Sequence, residues 1–191
     1  MVEVVSDDDR ERWDARYAQG GLAPIGIPGP PPGFASDGHL FPTYGLALDI
    51  ACGRGRAAVW LALRGMEVQA VDVSPVAIDL ARELARRHGV TERCHFHVHD
   101  LDAGLPDGPH VDLLLCHLFR DPRLDQAMLE RVRPGGLLAV AVLSEVGVEP
   151  GPFRARPGEL RDAFEGLELL AEGEADGTAW LVGRKERDLP K

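Results

Sequence analysis

The sequence predicts an α/β domain: a mostly parallel seven-stranded sheet between helical layers, with one strand near an edge running antiparallel. Two observations carry this. From Leu46 onward, short apolar strand segments alternate with helical segments, the pattern of parallel βαβ units covered on both faces. The last two strand segments are separated only by EADG (174–177), too little chain for a crossover, so they form a hairpin and one of them opposes the rest.

The elements follow in order. SDDDRERWDARYAQGG (6–21) reads as a short helix, with its acids in the first turn and Gly20 and Gly21 as the stop. Residues 22–45 are rich in Pro and Gly and lack periodicity, which excludes a helix or a central strand. They are expected to be a loop wrapped on the surface or a cover over a ligand. LALDIAC (46–52) is a buried strand, and GRGRAAVWLALRG (53–65) is a largely apolar helix stopped by Gly65. MEVQAVDV (66–73) is a strand. In SPVAIDLARELARRHG (74–89), Ser74 caps a helix, Pro75 takes its first position, and Ala77, Leu80, Ala81, Leu84 and Ala85 share one stripe. RCHFHVH (93–99) and VDLLLC (111–116) are strands whose short connection leaves room for a vestigial helix at most. PRLDQAMLERV (122–132) is a helix with Leu124, Met128 and Val132 inward, and GGLLAVAVL (135–143) is a strand. PGELRDAF (157–164) is a helix, followed by strands near LELLAEG (167–173) and TAWLVGRK (178–185). Residues 1–191 thus read as one domain: an N-terminal helix over 1–21, the loop over 22–45 and an α/β core over 46–185.

The totals narrow the function classes. Twenty-one Lys and Arg against 31 Asp and Glu give a net charge of −10, which opposes a broad phosphate-binding surface, so no nucleic-acid partner is expected. No apolar run approaches the roughly 18 residues of a spanning helix, and the acidic start lacks the pattern of a signal peptide. Three cysteines, Cys52, Cys94 and Cys116, are too few for a disulfide framework and read as reduced thiols of a cytoplasmic protein.

The chemistry concentrates in LDIACGRGR (48–56). A glycine-rich turn between a strand and a helix brings backbone N–H groups close to a ligand, and Gly53, Gly55 and Ala58 satisfy the dinucleotide spacing G-x-G-x-x-A. Asp72, at the end of the second strand, is placed to accept ribose hydroxyls. Both point to an adenosine-containing cofactor. Asp49 divides the candidates. A carboxylate beside the turn repels a pyrophosphate and attracts a ligand carrying an ammonium and a sulfonium, and charged hydrogen bonds contribute roughly 1.5 to 3 kcal/mol. S-adenosylmethionine has that charge pattern.

LDIACGRGR, VQAVDVS (68–74), HDLD (99–102), VDLLLCHLF (111–119) and RVRPGGLLAVAV (131–142), in that order, resemble the class I S-adenosylmethionine-dependent methyltransferases. The resemblance runs from about Leu46 to Lys185. It implies a Rossmann-like three-layer sandwich with strand order 3-2-1-4-5-7-6 and strand seven antiparallel. It also implies that Asp49 and the backbone of Ala51, Gly53 and Gly55 hold the methionine portion, and that Asp72 holds the ribose. Val73 would lie against the adenine, Asp100 would reach its amino group, and Leu101 would lie beside it. Cys116 and His117 would end the fourth strand, where the acceptor side begins. RWDARYAQGG (12–21) and PGELRDAFEGLELLAEGE (157–174) resemble the tellurite-resistance methyltransferases and their thiol-methylating neighbours, which makes Trp13 and Tyr17 cofactor-side candidates. EADG is shorter than that group's usual insertion and carries none of its substrate residues, so no metalloid substrate is carried over.

Other residues complete the reading. His95, His97 and His99 alternate on one face of the third strand and are taken as exposed polar positions of an edge rather than zinc ligands. Cys52 and Cys116 end neighbouring strands and are taken as buried thiols. Arg154 and Arg156, in GPFRARPG (151–158), are candidates to bind an anionic substrate. CHLFRDP (116–122) lacks the Asn/Asp-Pro-Pro-Tyr/Phe run that amino-methylating nucleic-acid enzymes place after this strand. The expected activity is in-line methyl transfer to a small-molecule acceptor, with His117 as base where the nucleophile carries a proton. An NAD(P)-dependent oxidoreductase and a non-catalytic cofactor-binding domain are the alternatives.

Overall fold

The computed structural model describes residues 7–20, 26–151 and 153–187. Its strands are β1 (Leu46–Ile50), β2 (Glu67–Asp72), β3 (Cys94–Val98), β4 (Val111–His117), β5 (Val132–Leu143), β6 (Leu167–Ala175) and β7 (Thr178–Lys185). The helices are α1 (Asp7–Gly20), α2 (Arg56–Leu63), α3 (Pro75–Arg87), α4 (Asp125–Arg131) and α5 (Glu159–Ala163). The strands form one sheet in the order β3-β2-β1-β4-β5-β7-β6, with β7 antiparallel to both of its neighbours. This is the topology implied by the resemblance. No helix among the described residues is long and apolar enough to cross a membrane.

Local chemistry accounts for the elements. The Ser74 hydroxyl accepts the Ala77 N–H at 3.1 Å, and Pro75 fills the first position of α3, where its missing N–H costs nothing. Asp176 and Gly177, at φ +49° and +76°, make a two-residue turn in which Ala175 pairs with Thr178. Two successive left-handed residues match the right-handed twist of the strands they join, which is why Asp-Gly closes this hairpin. β5 begins at Val132 rather than at the expected Gly135, because Val111 of β4 pairs with Val132 across a register shift.

Alternation splits the core into two layers. Leu113 and Leu115 of β4 face Val59, Leu61, Ile78 and Phe96, on the side of α2 and α3. Leu114 and Cys116 face Met128, Leu138 and Phe164, on the side of α4 and α5. The described part of the Pro/Gly-rich segment, 26–45, is an irregular loop with exposed residues such as Ile27 and Tyr44 and an apolar anchor. It packs on the first face: Phe34 and Phe41 are buried with ring centroids 5.4 Å apart, and Phe41 meets the Trp60 ring edge-on at 5.1 Å. Gly33 lies so close to Ala141 and Trp180 that a Cβ there would stand 3.0 Å from the Ala141 methyl. Prolines stiffen the path and two aromatics anchor it, so the segment serves where another helix would otherwise cover β5 and β7. On α3, Ile78 is buried and Leu80 only partly so, a small rotation of the expected stripe.

Candidate functional site

Ile50 pairs with both Val71 of β2 and Cys116 of β4, so three central strands end at one level. Above that level the chain turns into α2 through Ala51, Gly53 and Gly55, all in the left-handed region at φ +52°, +53° and +71°. The Cys52 N–H donates to Val71 O and the Gly55 N–H to Cys52 O, each at 2.9 Å. The two glycines have different tasks. A Cβ on Gly55 would stand 2.6 Å from the Ala81 methyl and 2.9 Å from the Phe96 ring, so Gly55 lets α2, α3 and β3 close together. Gly53 lies beneath Tyr17, whose hydroxyl would be 3.0 Å from an added Cβ.

Two buried carboxylates lie against this turn. Asp72 is fixed by two backbone donors: the Gly53 N–H reaches Oδ2 at 2.8 Å and the Ser74 N–H reaches Oδ1 at 3.0 Å. Burial raises its pKa and these two N–H groups partly offset the rise. Each oxygen keeps a lone pair for a further donor. Asp49 is 1% exposed, and its Oδ2 makes no hydrogen bond among the described residues. Burial and the nearby Asp72 charge push its pKa up to about 8, against the opposing pull of the Ala58 N–H in the first turn of α2. An unpartnered buried carboxylate is costly. That oxygen of Asp49 can accept one further hydrogen bond.

α1 covers the turn. The Ser74 hydroxyl donates to Asp14 Oδ1, tying α1 to the cap of α3. Arg54 donates to Gly20 O at 3.3 Å and Tyr17 O at 3.4 Å, a cation at the negative end of α1, and its guanidinium lies 5.7 Å from the Tyr17 ring centre. Tyr17 stacks on Trp13 with centroids 5.7 Å apart, and burial followed by the Asp72 charge raises the pKa of its phenol. Tyr17 thus lies over the turn, with Trp13 stacked on it, and both are half-buried. Asp14 and Arg54 complete the arrangement, and the sequence reading missed both. Their signal was available: Asp14 stands three residues before Tyr17, on the same helical face.

The remaining predicted residues separate into groups. Leu101 is buried, while Asp100 is exposed and accepts the Asp102 N–H at 2.9 Å; Val73 is half-buried beside Asp72. Cys116 is buried and its thiol donates to Phe119 O at 3.2 Å, with its pKa pushed up to about 12 by burial. Cys52 packs with the other core layer, so the two cysteines lie on opposite faces of the sheet. His117 is half-buried at the end of β4, and burial lowers its pKa. The Arg154 guanidinium donates to Ser144 O at 2.7 Å and Gly177 O at 3.3 Å, latching the loop after β5 to the hairpin. The Arg156 side chain is 82% exposed, 3.7 Å from Glu159. His95 and His97 are exposed on edge strand β3, while His99 Nε2 lies 2.9 Å from Gly104 O. No group of three or more His, Cys, Asp or Glu among the described residues is arranged to hold a metal ion.

Comparison with known proteins decides the family. A methyltransferase-domain family matches residues 47–136, the stretch containing the turn, Asp49 and Asp72. Residues 47–136 belong to this methyltransferase-domain family. The chain superimposes on TehB from Haemophilus influenzae with a TM-score of 0.73 at 18% identity, covering 91% of this chain and 67% of TehB. A solved structure concerned with conversion of a disulfide bond into a thioacetal group during echinomycin biosynthesis matches with a TM-score of 0.68 at 25% identity, covering 93% of each chain. The ribosomal RNA small subunit methyltransferase C of Alcanivorax borkumensis is 41% identical over 148 residues, covering 72% of this chain and 42% of that protein. The chain spans about half or less of the length of the curated relatives it matches.

The residues at the turn fit that family's cofactor, S-adenosylmethionine. The orphaned Asp49 oxygen calls for a cationic donor, which a nicotinamide dinucleotide would not bring to this turn. Asp72 keeps a lone pair on each oxygen for a further donor, and Gly53 lies directly beneath the Tyr17 hydroxyl, where a side chain would press against it.

Proposed function

We propose that this methyltransferase carries the methyl group of S-adenosylmethionine to a small-molecule acceptor, and that residues 1–191 work as one domain. The observation that carries the cofactor assignment is the buried Asp49 carboxylate with an unpartnered oxygen. When bound, S-adenosylmethionine supplies a methyl carbon on a sulfonium: the acceptor's lone pair forms the new bond, and the sulfur keeps the pair of the broken one. Asp49 and the backbone of Ala51, Gly53 and Gly55 hold the cationic portion. Asp72 takes the ribose hydroxyls with an orientation already fixed by two N–H groups. Val73, Asp100 and Leu101 receive the adenine, and Trp13 and Tyr17 close over the top.

Cys116 and His117 border the acceptor side. His117 has its proton affinity reduced by burial, so it is neutral at pH 7 and able to take a proton from a thiol or hydroxyl nucleophile. Alignment of nucleophile and methyl carbon supplies most of the rate, since such positioning contributes up to roughly 7 to 11 kcal/mol. The small-molecule reading is supported by the net charge of −10, which disfavours an RNA acceptor, and by the full-length match to a structure from natural-product sulfur chemistry. Free cysteines at 52, 94 and 116 fit a reducing, cytoplasmic setting.

Calorimetry with S-adenosylmethionine and with a nicotinamide dinucleotide tests the cofactor. Release of S-adenosylhomocysteine with thiols, phenols, a ribosomal RNA fragment and protein extracts tests the acceptor class. Turnover confined to RNA or protein would reject the small-molecule reading.

A further inference from the structure

Two large apolar side chains follow the carboxyl ends of β4 and β5 in a backbone conformation that such residues avoid. Leu118, at φ +60° after the end of β4, is 54% exposed, and Phe153, at φ +62° in the loop after β5, is 71% exposed. The left-handed region is costly for bulky residues, and glycine or asparagine would relieve it. Described backbone beside each residue is hydrogen-bonded in place. The Leu118 N–H donates to Ala141 O at 2.7 Å. Two residues after Phe153, the buried Ala155 bridges to Ser144 and donates its N–H to Leu143 O at 2.8 Å, while Arg154 latches the same loop. The fold therefore holds both side chains outward against two local preferences at once. Strained backbone of this kind concentrates at ligand sites.

The surface after β5 has further exposed apolar residues. Leu143 and Val148 are also exposed there. The Arg12 guanidinium lies 5.9 Å from the Trp13 ring and 5.8 Å from the Phe153 ring, so this surface reaches α1. Each nearby arginine already has a partner, Arg12 among them, whose guanidinium lies over the Trp13 and Phe153 rings. Arg120 is paired with Asp125 at 2.5 and 2.9 Å and with Glu159 at 2.9 Å, Arg154 donates to two carbonyls, and Arg156 is drawn to Glu159.

We infer that Leu118 and Phe153 form the two sides of the acceptor subsite, and that the acceptor is an uncharged apolar molecule of aromatic size rather than an anion. An anion would have to compete with Asp125, Glu159 and two backbone carbonyls for its counter-charge; an apolar ring needs only the exposed surface that is already paid for in backbone strain. The inference rests on the methyl-transfer reading for the location of the acceptor.

The test is calorimetry on the full chain loaded with S-adenosylhomocysteine, using 2-naphthol and its anionic counterpart 2-naphthoate as probes. 2-Naphthol is expected to bind at least about fivefold more tightly than 2-naphthoate. Leu118→Gly and Phe153→Gly are each expected to weaken 2-naphthol by about fivefold or more without lowering the melting temperature, because glycine accepts the left-handed backbone. A smaller preference for 2-naphthol, or smaller losses in both variants, overturns the inference. Leu118→Asn and Phe153→Asn serve the same purpose where a glycine variant folds poorly. The readout needs no turnover. If no acceptor yields S-adenosylhomocysteine yet 2-naphthol binding depends on these residues, the methyl-transfer reading fails and the apolar subsite stands.

Discussion

Asp49→Asn gives the sharpest test of the cofactor site. The wild-type carboxyl has a pKa pushed up from 3.8 to about 8, so the ligand-free protein carries it protonated at neutral pH. Between about pH 4 and pH 8 the folded state holds a proton that the unfolded chain has released. Unfolding free energy therefore falls as pH rises, by at most about 1.4 kcal/mol per unit from this group, and the fall ends above about pH 8. A cationic ligand reverses the preference, because it binds the ionised carboxylate. Its apparent affinity should rise about 25-fold from pH 6 to pH 7.5, close to tenfold per unit below a pKa of about 8. Binding in that range should release close to one proton. Calorimetric titration of S-adenosylmethionine in buffers of different ionisation enthalpy measures both quantities. In Asp49→Asn the proton release and the pH dependence should vanish, affinity at pH 7.5 should drop about 10- to 100-fold, and the ligand-free protein should lose its stability slope. An affinity flat from pH 6 to pH 7.5 in the wild type, with no proton exchanged, would refute the electrostatic reasoning.

Other expectations follow from particular contacts. Phe34→Ala should lower the unfolding free energy by about 3 to 5 kcal/mol in denaturant titration, because Phe34 is fully buried against the sheet although its segment reads as a loop. Gly55→Ala should cost several times as much as Gly89→Ala: both have positive φ, but only at Gly55 does the new methyl meet Ala81 and Phe96, whereas nothing lies within 4 Å of Gly89. Melting temperatures of the pair check this. Ser74→Ala should cost about 1 to 2 kcal/mol through the lost cap of α3. It should also weaken S-adenosylhomocysteine binding, since Ser74 tethers Asp14 of α1. If His117 is the base, kcat should fall on the acid side with a midpoint below 6.5, the direction in which burial moves it, and that limb should disappear in His117→Ala. An unchanged limb in the variant removes His117 from the role.

Much of this was legible along the chain. The alternation of apolar strands and helices, the Ser74-Pro75 start of α3 and the Asp-Gly turn are local events, and local chemistry wrote them into the sequence. The glycine turn and the two aspartates could be named as a site because strand ends and helix starts converge in this architecture. The Pro/Gly-rich segment was not legible in the same way. Phe34 and Phe41 carry no periodicity, and their burial depends on Trp60 and Ala141, which are distant in sequence. Arg154 shows the same limit: its residue type suggested an anion, but the carbonyls of Ser144 and Gly177 take its donors once the hairpin folds alongside.

The sequence alone determined which residues are apolar, which turn needs glycine, and that carboxylates stand beside it, because these depend on residue type and spacing over a few positions. Only the tertiary structure decided that one oxygen of Asp49 has no partner, that Asp72 is already held by two N–H groups, and that Leu118 and Phe153 face outward in strained backbone. Desolvation and hydrogen-bond satisfaction are sums over neighbours brought together from across the chain, and such sums exist only once the strands have paired.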